Sequence, residues 1–218
     1  MDLDLSGRHV VVTGATGALG SAVVSLLGAQ GAVLHLPTRG AGVDLSDEEA
    51  VRRFYAALPA LSASIHCAGG FALAPFADTS LAELRDLLDR NAVTAFLCSR
   101  EAIRSMRRNG GRGGRIVNVA ATAGVAPRTA AGKVAYAMAK AAVVALTEAL
   151  AEEAAREGIL VTAVAPATLD TPANRAAMPT VDPAGWARTE DAAAVIAFLA
   201  SPRNRCARGA VVPVAGRA

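Results

Sequence analysis

Tyr136 and Lys140 stand four residues apart in the stretch Gly-Lys-Val-Ala-Tyr-Ala-Met-Ala-Lys, which runs from Gly132 to Lys140. In a helix that spacing puts a phenol and an ammonium on one face. A phenol titrates near ~10, so it moves protons poorly at neutral pH unless a neighbouring positive charge favours the phenolate. The chemistry this pair offers is proton transfer, with tyrosine as acid or base and lysine tuning it. Any amphipathic helix can hold Tyr and Lys at this spacing, so the pair gains meaning only from elements that bring reactants to it.

Those elements begin at the N-terminus. Arg8 to Thr13 is a β-branched run that ends at Gly14-Ala15-Thr16-Gly17-Ala18-Leu19-Gly20, and Ser21 to Gln30 then has helical period. Glycines at 14, 17 and 20 permit a tight turn, close approach of backbone to a pyrophosphate, and close packing of helix on strand. The phosphates would lie at the positive end of the helix. Ala32 to Leu36 reads as a second strand, which completes a nucleotide-binding unit with Gly14, Thr16, Gly17, Ala18 and Leu19 as candidate contacts. An acid after the second strand would bond a ribose 2′-hydroxyl, whereas an arginine accommodates a 2′-phosphate. Here the residues are Pro37-Thr38-Arg39, so Arg39 favours NADP(H), with NAD(H) left open. Val43-Asp44 ends an expected short third strand that would set Asp44 against the adenine. Ser46-Asp47-Glu48-Glu49 opens a helix as a capping box.

Ser62 to Cys67 is the fourth strand, and Ala68 and Gly69 at its carboxyl end should line the ligand crevice, with His66 a strand-end residue and not a base. Ser80 and Glu83 cap a long helix from Leu81 to Arg108, ended by Asn109-Gly110. Asn91 lies inside it, where its amide can bond neighbouring backbone or water. Arg115 to Ala120 is strand five, Val134 to Glu157 the helix of Tyr136 and Lys140, and Ile159 to Ala165 strand six. The turn Pro166 to Pro172 offers backbone amides and Thr171 to the far end of a dinucleotide. Thr189 to Ala200 is the last helix and Ala210 to Val214 the last strand. Seven strands interspersed with helices predict an α/β fold, a Rossmann-type doubly wound parallel sheet with helices on both faces, as a single domain over residues 1–218.

Composition narrows the classes. Of the residues 53% are hydrophobic and 19% charged, which fits a globular chain and not a disordered one. No apolar run approaches the ~18 residues of a membrane span, and Met1-Asp2-Leu3-Asp4 lacks the basic, apolar start of a signal peptide, so a cytoplasmic protein is expected. Cys67, Cys98 and Cys206 are scattered, which suggests reduced thiols and no metal site. The net charge is only +3, and the densest basic stretch, Arg104, Arg107, Arg108, Arg112 and Arg115, contains no aromatic residue for base stacking. A small molecule, not nucleic acid or membrane, is the expected partner.

Taken together, these pieces resemble the short-chain dehydrogenase/reductase family over essentially the whole chain. The resemblance rests on Thr13-Gly14-x-x-Gly17-x-x-Gly20, Cys67-Ala68-Gly69, Asn91, Gly114-Arg115-Ile116-Val117-Asn118, Tyr136-x-x-x-Lys140 and Pro166 through Thr171. It implies that Tyr136 is the general acid and base, that Lys140 holds the nicotinamide ribose and lowers the tyrosine pKa, and that Asn91 holds a water in a proton relay. It also implies cofactor contacts from Pro166, Leu169 and Thr171, and a homodimer or homotetramer. The serine that most members carry after strand five is missing. Ala121 takes its place, and Thr122 would face the other way from an extended strand. Ala18 replaces a glycine of the commonest turn, and His66-Cys67 replaces the usual asparagines.

The missing serine, the Gly-Ala-Leu-Gly turn, Tyr-x-Met-Ala-Lys and the run Thr168 to Arg175 with Met178-Pro179 and Trp186 resemble dihydropteridine reductase-like members. That resemblance implies reduction of a planar, activated C=N or quinonoid acceptor, with Tyr136 as the proton donor and Asn174, Met178 and Trp186 over its flat face. Two other readings stay open: a ketone or 3-oxoacyl reductase in which Thr122 supplies the second donor, and a dinucleotide-binding sensor without catalysis.

Overall fold

A computed structural model describes residues 2–108, 110 and 113–216. Six short runs form one sheet in which every neighbouring pair is parallel: β1 (His9–Thr13), β2 (Val33–His35), β3 (Ala63–His66), β4 (Gly114–Val119), β5 (Ile159–Pro166) and β6 (Val211–Val214), in the order β2-β1-β3-β4-β5-β6. Parallel strands need helical crossovers, and these cover both faces. On one face α1 (Ala18–Ala29) packs against α8 (Thr189–Ala200) over the core of Val10, Val12, Ile65 and Val164. On the other, α2 (Glu48–Ala56), α4 (Thr94–Arg107) and α6 (Val134–Ala154) enclose Val11, Ile116, Val161 and Met106. The chain leaves β1 toward β2, then crosses to β3 on its other side, and a ligand crevice belongs outside the carboxyl ends at such a reversal.

The expected third strand at Val43-Asp44 does not form. A parallel strand beside β2 needs a crossover of about a dozen residues, and only residues 36–42 separate the two. Arg39–Ala41 instead make a 3-10 turn capped by Thr38, which Gly42 leaves at φ +76°. The following helix does open where predicted, but Asp47 caps it, its carboxylate accepting from Glu49 and Ala50 at 2.8 and 3.0 Å. Ser46 bonds Asp44 instead. Ser80 and Glu83 do form the predicted capping box, at the start of α3 (Leu81–Leu88). The long helix beyond is interrupted by a π-turn at Asp89–Val93 that contains Asn91. Asn109 and Arg112 lie outside the described residues. By length and apolar character the segment Val134–Glu157 matches a membrane span, which the reading of the sequence missed. Here it packs on β4 and β5 as a core helix.

One polar chain crosses this apolar interior. His66 Nδ1 lies 2.8 Å from Asn118 Oδ1, an acceptor, so the neutral ring carries its proton there and its Nε2 accepts from Ser64 at 2.9 Å. Tyr55 then donates to Ser64 (2.9 Å), Asn118 Nδ2 to Thr147 (3.0 Å), and Thr147 to the Val143 carbonyl (2.8 Å). The chain ties α2, β3, β4 and α6 together with every polar atom satisfied, as burial requires. Burial also pushes the His66 imidazole down to about 4. An unfolded histidine takes its proton near ~6.5, so stability is fully present above that pH and falls by up to about 3 kcal/mol as pH drops toward 4. We expect the urea midpoint to fall between about pH 7 and pH 5 in the native protein and to fall distinctly less in His66→Asn. Equal pH dependence in the two proteins would assign the loss to other groups.

Candidate active site

The glycine turn is built by close approach. Gly14 adopts φ +64°, and a Cβ there would stand 2.6 Å from the backbone nitrogen of Ala68, which itself donates to Thr13 Oγ1 at 3.2 Å. A Cβ at Gly20 would overlap the Gly14 carbonyl. Gly17 caps α1 through its backbone alone. The turn, the β2–α2 loop and the end of β3 together line a cavity of about 410 Å³ that includes Gly14, Thr16, Gly17, Arg39, Asp44, Ala68 and Gly69. Ala18 and Leu19 are not among its lining residues, and the Leu19 side chain is buried in the core. Arg39 is exposed at its rim, and Asp44 is oriented by the Ser46 amide and hydroxyl, which hold its carboxyl below the usual range. An extended crevice with a glycine floor, an arginine and a carboxylate at one end suits a dinucleotide with its adenosine near Arg39 and Asp44.

Asn91 lies between this crevice and the catalytic helix. Its amide nitrogen donates to the carbonyls of Gly70 (3.0 Å) and Leu87 (2.8 Å), and its Oδ1 accepts from the Gly70 nitrogen (3.2 Å). Asn91 is not among the residues that line this crevice, and its bonds clamp the loop after β3. A Cβ on Gly69 would meet Asn91 Oδ1 at 2.7 Å and Lys140 Nζ at 3.4 Å.

Tyr136 and Lys140 share one face of α6, the ammonium 6.0 Å from the centre of the phenol ring. Lys140 is buried and donates to the Val119 carbonyl at 2.7 Å. Burial pulls the ammonium down to about 8, against a smaller opposing effect of Cys67. Burial also pushes Tyr136 up to about 12. That corrects the expected lowering: with the ammonium bonded to a backbone carbonyl, desolvation decides the phenol. Tyr136 is therefore protonated at neutral pH, the form a proton donor needs. Phe71 fixes its ring in an edge contact, centroids 4.9 Å apart.

The phenol opens into a second cavity of about 330 Å³. Ala121 and Thr122 both line it, as do Pro166, Leu169, Asn174 and Met178. Thr122 was expected to face away. The strand has already ended at Val119, and Ala121 caps the short α5 (Thr122–Val125), so strand alternation no longer applies. Trp186 does not line this cavity, which corrects its placement over the substrate: it is 8% exposed and packed beside Gly216. Thr171 lies outside too, its hydroxyl oxygen capping α7 (Pro172–Ala177) by accepting from Asn174.

A family model described as enoyl-(acyl carrier protein) reductase matches residues 2–216. The chain belongs to the short-chain dehydrogenase/reductase family. It is 33% identical over 241 residues to cis-4-hydroxycyclohexanecarboxylate dehydrogenase of Sinomonas cyclohexanicum, covering 96% of this chain and 95% of that protein. It is 28% identical to the 3-oxoacyl-(acyl-carrier-protein) reductase of Rickettsia felis, over 98% of each. A Beutenbergia cavernae structure assigned as an NAD(P)-dependent gluconate 5-dehydrogenase, with NADP at low occupancy, superposes with TM-score 0.87 at 30% identity, covering 98% of this chain and 97% of that one. This short-chain dehydrogenase/reductase is an NAD(P)-dependent oxidoreductase, and a bound nicotinamide dinucleotide supplies or receives the hydride.

Several lining residues were not named as site candidates from the sequence, among them Thr168, Lys133 and Phe71. Thr168 follows Pro166-Ala167 at the carboxyl end of β5, where the crevice rule already pointed. Lys133 is the N-cap of α6, three residues before Tyr136. Phe71, just past Gly69-Gly70, gave no signal, since its role depends on the loop's path. We expect Tyr136→Phe to lower turnover by ~10²- to 10⁴-fold, the worth of a positioned proton donor, while nicotinamide cofactor binding persists. Steady-state rates and a cofactor fluorescence titration check both halves, and unchanged turnover would remove Tyr136 from the mechanism.

Proposed function

We propose that this enzyme interconverts a carbonyl and an alcohol on a small molecule, with Tyr136 giving or taking the proton at oxygen and Thr122 donating a second hydrogen bond to that oxygen. The observation that carries this reading is Thr122, which lines the cavity of Tyr136 and whose hydroxyl has no side-chain hydrogen bond among the described residues. Charge gathers on oxygen as hydride reaches a ketone, and two donors stabilise it better than one. Lys140, anchored on Val119, would bind the nicotinamide ribose, while Ala68 and Gly69 give it a flat backbone surface. The three named relatives support the class of chemistry, since each name describes a dehydrogenase or a 3-oxo reductase.

A second reading, closer to dihydropteridine reductase, is favoured by Ala121 at the cavity wall and by Asn174 and Met178 from the matching segment. A planar quinonoid or C=N acceptor spreads incoming electrons over a ring and manages with Tyr136 alone. Thr122→Val separates the two. If the carbonyl reading holds, specificity constants for cyclic ketones fall by ~10²- to 10³-fold, the usual cost of a lost oxyanion donor, and Ala121→Ser restores part of the loss. If quinonoid pterins or iminium compounds are the better substrates and are indifferent to Thr122→Val, the second reading takes its place.

For the cofactor we favour NADP(H), because Arg39 lines the adenosine end and no acid occupies the position after β2. NADPH should bind more tightly than NADH, and Arg39→Asp should reverse the order by opposing a 2′-phosphate with like charge. The preference should weaken as salt rises, since Arg39 is exposed. Equal affinity for the two cofactors in the native enzyme would make Arg39 an ordinary surface residue.

A further inference from the structure

The cavity in front of Tyr136 has an uneven charge. Its ionisable lining groups are Lys133, Tyr136 and Lys140, and none is a carboxylate. Lys140 is buried and anchored on the Val119 carbonyl. Lys133 has no such anchor: it is half-buried at the start of α6, and its ammonium forms no ion pair or hydrogen bond among the described residues. The carboxylate next in sequence to this wall, Asp170, is already held by Arg175 through paired bonds of 2.6 and 2.9 Å. An anion arriving there gains a charge-assisted hydrogen bond from that ammonium.

Position adds to charge. Lys133 is the N-cap of α6 and Tyr136 the third residue of that helix, and both line the same cavity. A small molecule whose oxygen meets the phenol can therefore present an acid group to Lys133 within that cavity. Phe71, Leu73 and Met178 supply apolar walls for the carbon frame between them.

We propose that the substrate carries a carboxylate and that Lys133 receives it, holding the acid group at the start of α6 while its carbonyl or alcohol carbon reacts beside Tyr136. This deepens the functional reading above and rests on that cavity being the substrate site. Lys133 is then a specificity residue, and neutral ketones of the same shape are poor substrates because nothing answers its charge.

The test is a calorimetric titration of the protein saturated with nicotinamide cofactor, comparing cyclohexanecarboxylate with cyclohexanecarboxamide, which differ in charge and little in shape. A charge-assisted hydrogen bond gives the carboxylate an advantage of about 10- to 100-fold in dissociation constant. That advantage should shrink as salt rises, survive in Lys133→Arg and vanish in Lys133→Gln. Equal affinities in the native protein overturn the proposal, as does failure of the carboxylate to bind at millimolar concentration. An advantage that persists in Lys133→Gln overturns it too. The titration needs no turnover, so this failure is distinct from that of the reductase reading, which stands or falls on Tyr136→Phe and Thr122→Val.

Discussion

The three hydrogen bonds that Asn91 makes to Gly70 and Leu87 hold the loop after β3 in a slot with no spare room. On one side Gly14 presses on Ala68, and on the other Asn91 and Lys140 crowd Gly69. Moving that loop would at once disturb the glycine turn, the π-turn and the lysine. The π-turn is the local consequence. An asparagine that turns its amide toward a neighbouring loop is a poor member of a regular helix, and the extra residue of a π-turn lets α3 and α4 continue around it. Through one clamp, cofactor crevice and catalytic helix are placed relative to each other.

Much of this was legible because it is local. Gly20 is dictated by its contact with the Gly14 carbonyl within the same turn, and the Ser80–Glu83 box closes within one turn. Tyr136 and Lys140 share a face by helix geometry alone. What could not be read depends on where an element ends or what stands across a cavity. The absent third strand follows from how little chain lies between β2 and Asp44. Thr122 was misplaced because strand alternation was carried past Val119, where β4 ends, and such alternation says nothing of side chains beyond the strand. Trp186 looked like a stacking surface from its neighbours in sequence, yet its ring found the interior.

The buried polar chain from Tyr55 to Thr147 shows a different limit. Its members were visible as single residues, and His66 in place of the family's usual asparagine was noted as a departure. No spacing rule links positions 55, 64, 66, 118 and 147. Parallel register sets His66 opposite Asn118, and only then does the imidazole bridge a hydroxyl on its own strand and an amide on the next. A five-membered ring with one donor and one acceptor can carry the chain in a single direction, so the fold also fixes the tautomer.

Desolvation is the shared cause behind the electrostatics of the site. It raises Tyr136 and lowers Lys140, bringing a phenol at about 12 and an ammonium at about 8 into the same apolar wall. Both shifts oppose charge. For the phenol, the result is a proton held firmly until charge appears on a substrate oxygen beside it. For the lysine, the cost of staying charged is reduced by the Val119 carbonyl, which accepts from it at 2.7 Å. An anionic cofactor lying along Ala68 and Gly69 would restore the ammonium's preference for charge, and the ammonium would in turn favour charge on the substrate oxygen. The same burial that keeps Tyr136 a donor thus makes its acidity depend on what occupies the crevice, which couples proton transfer to the presence of both reactants.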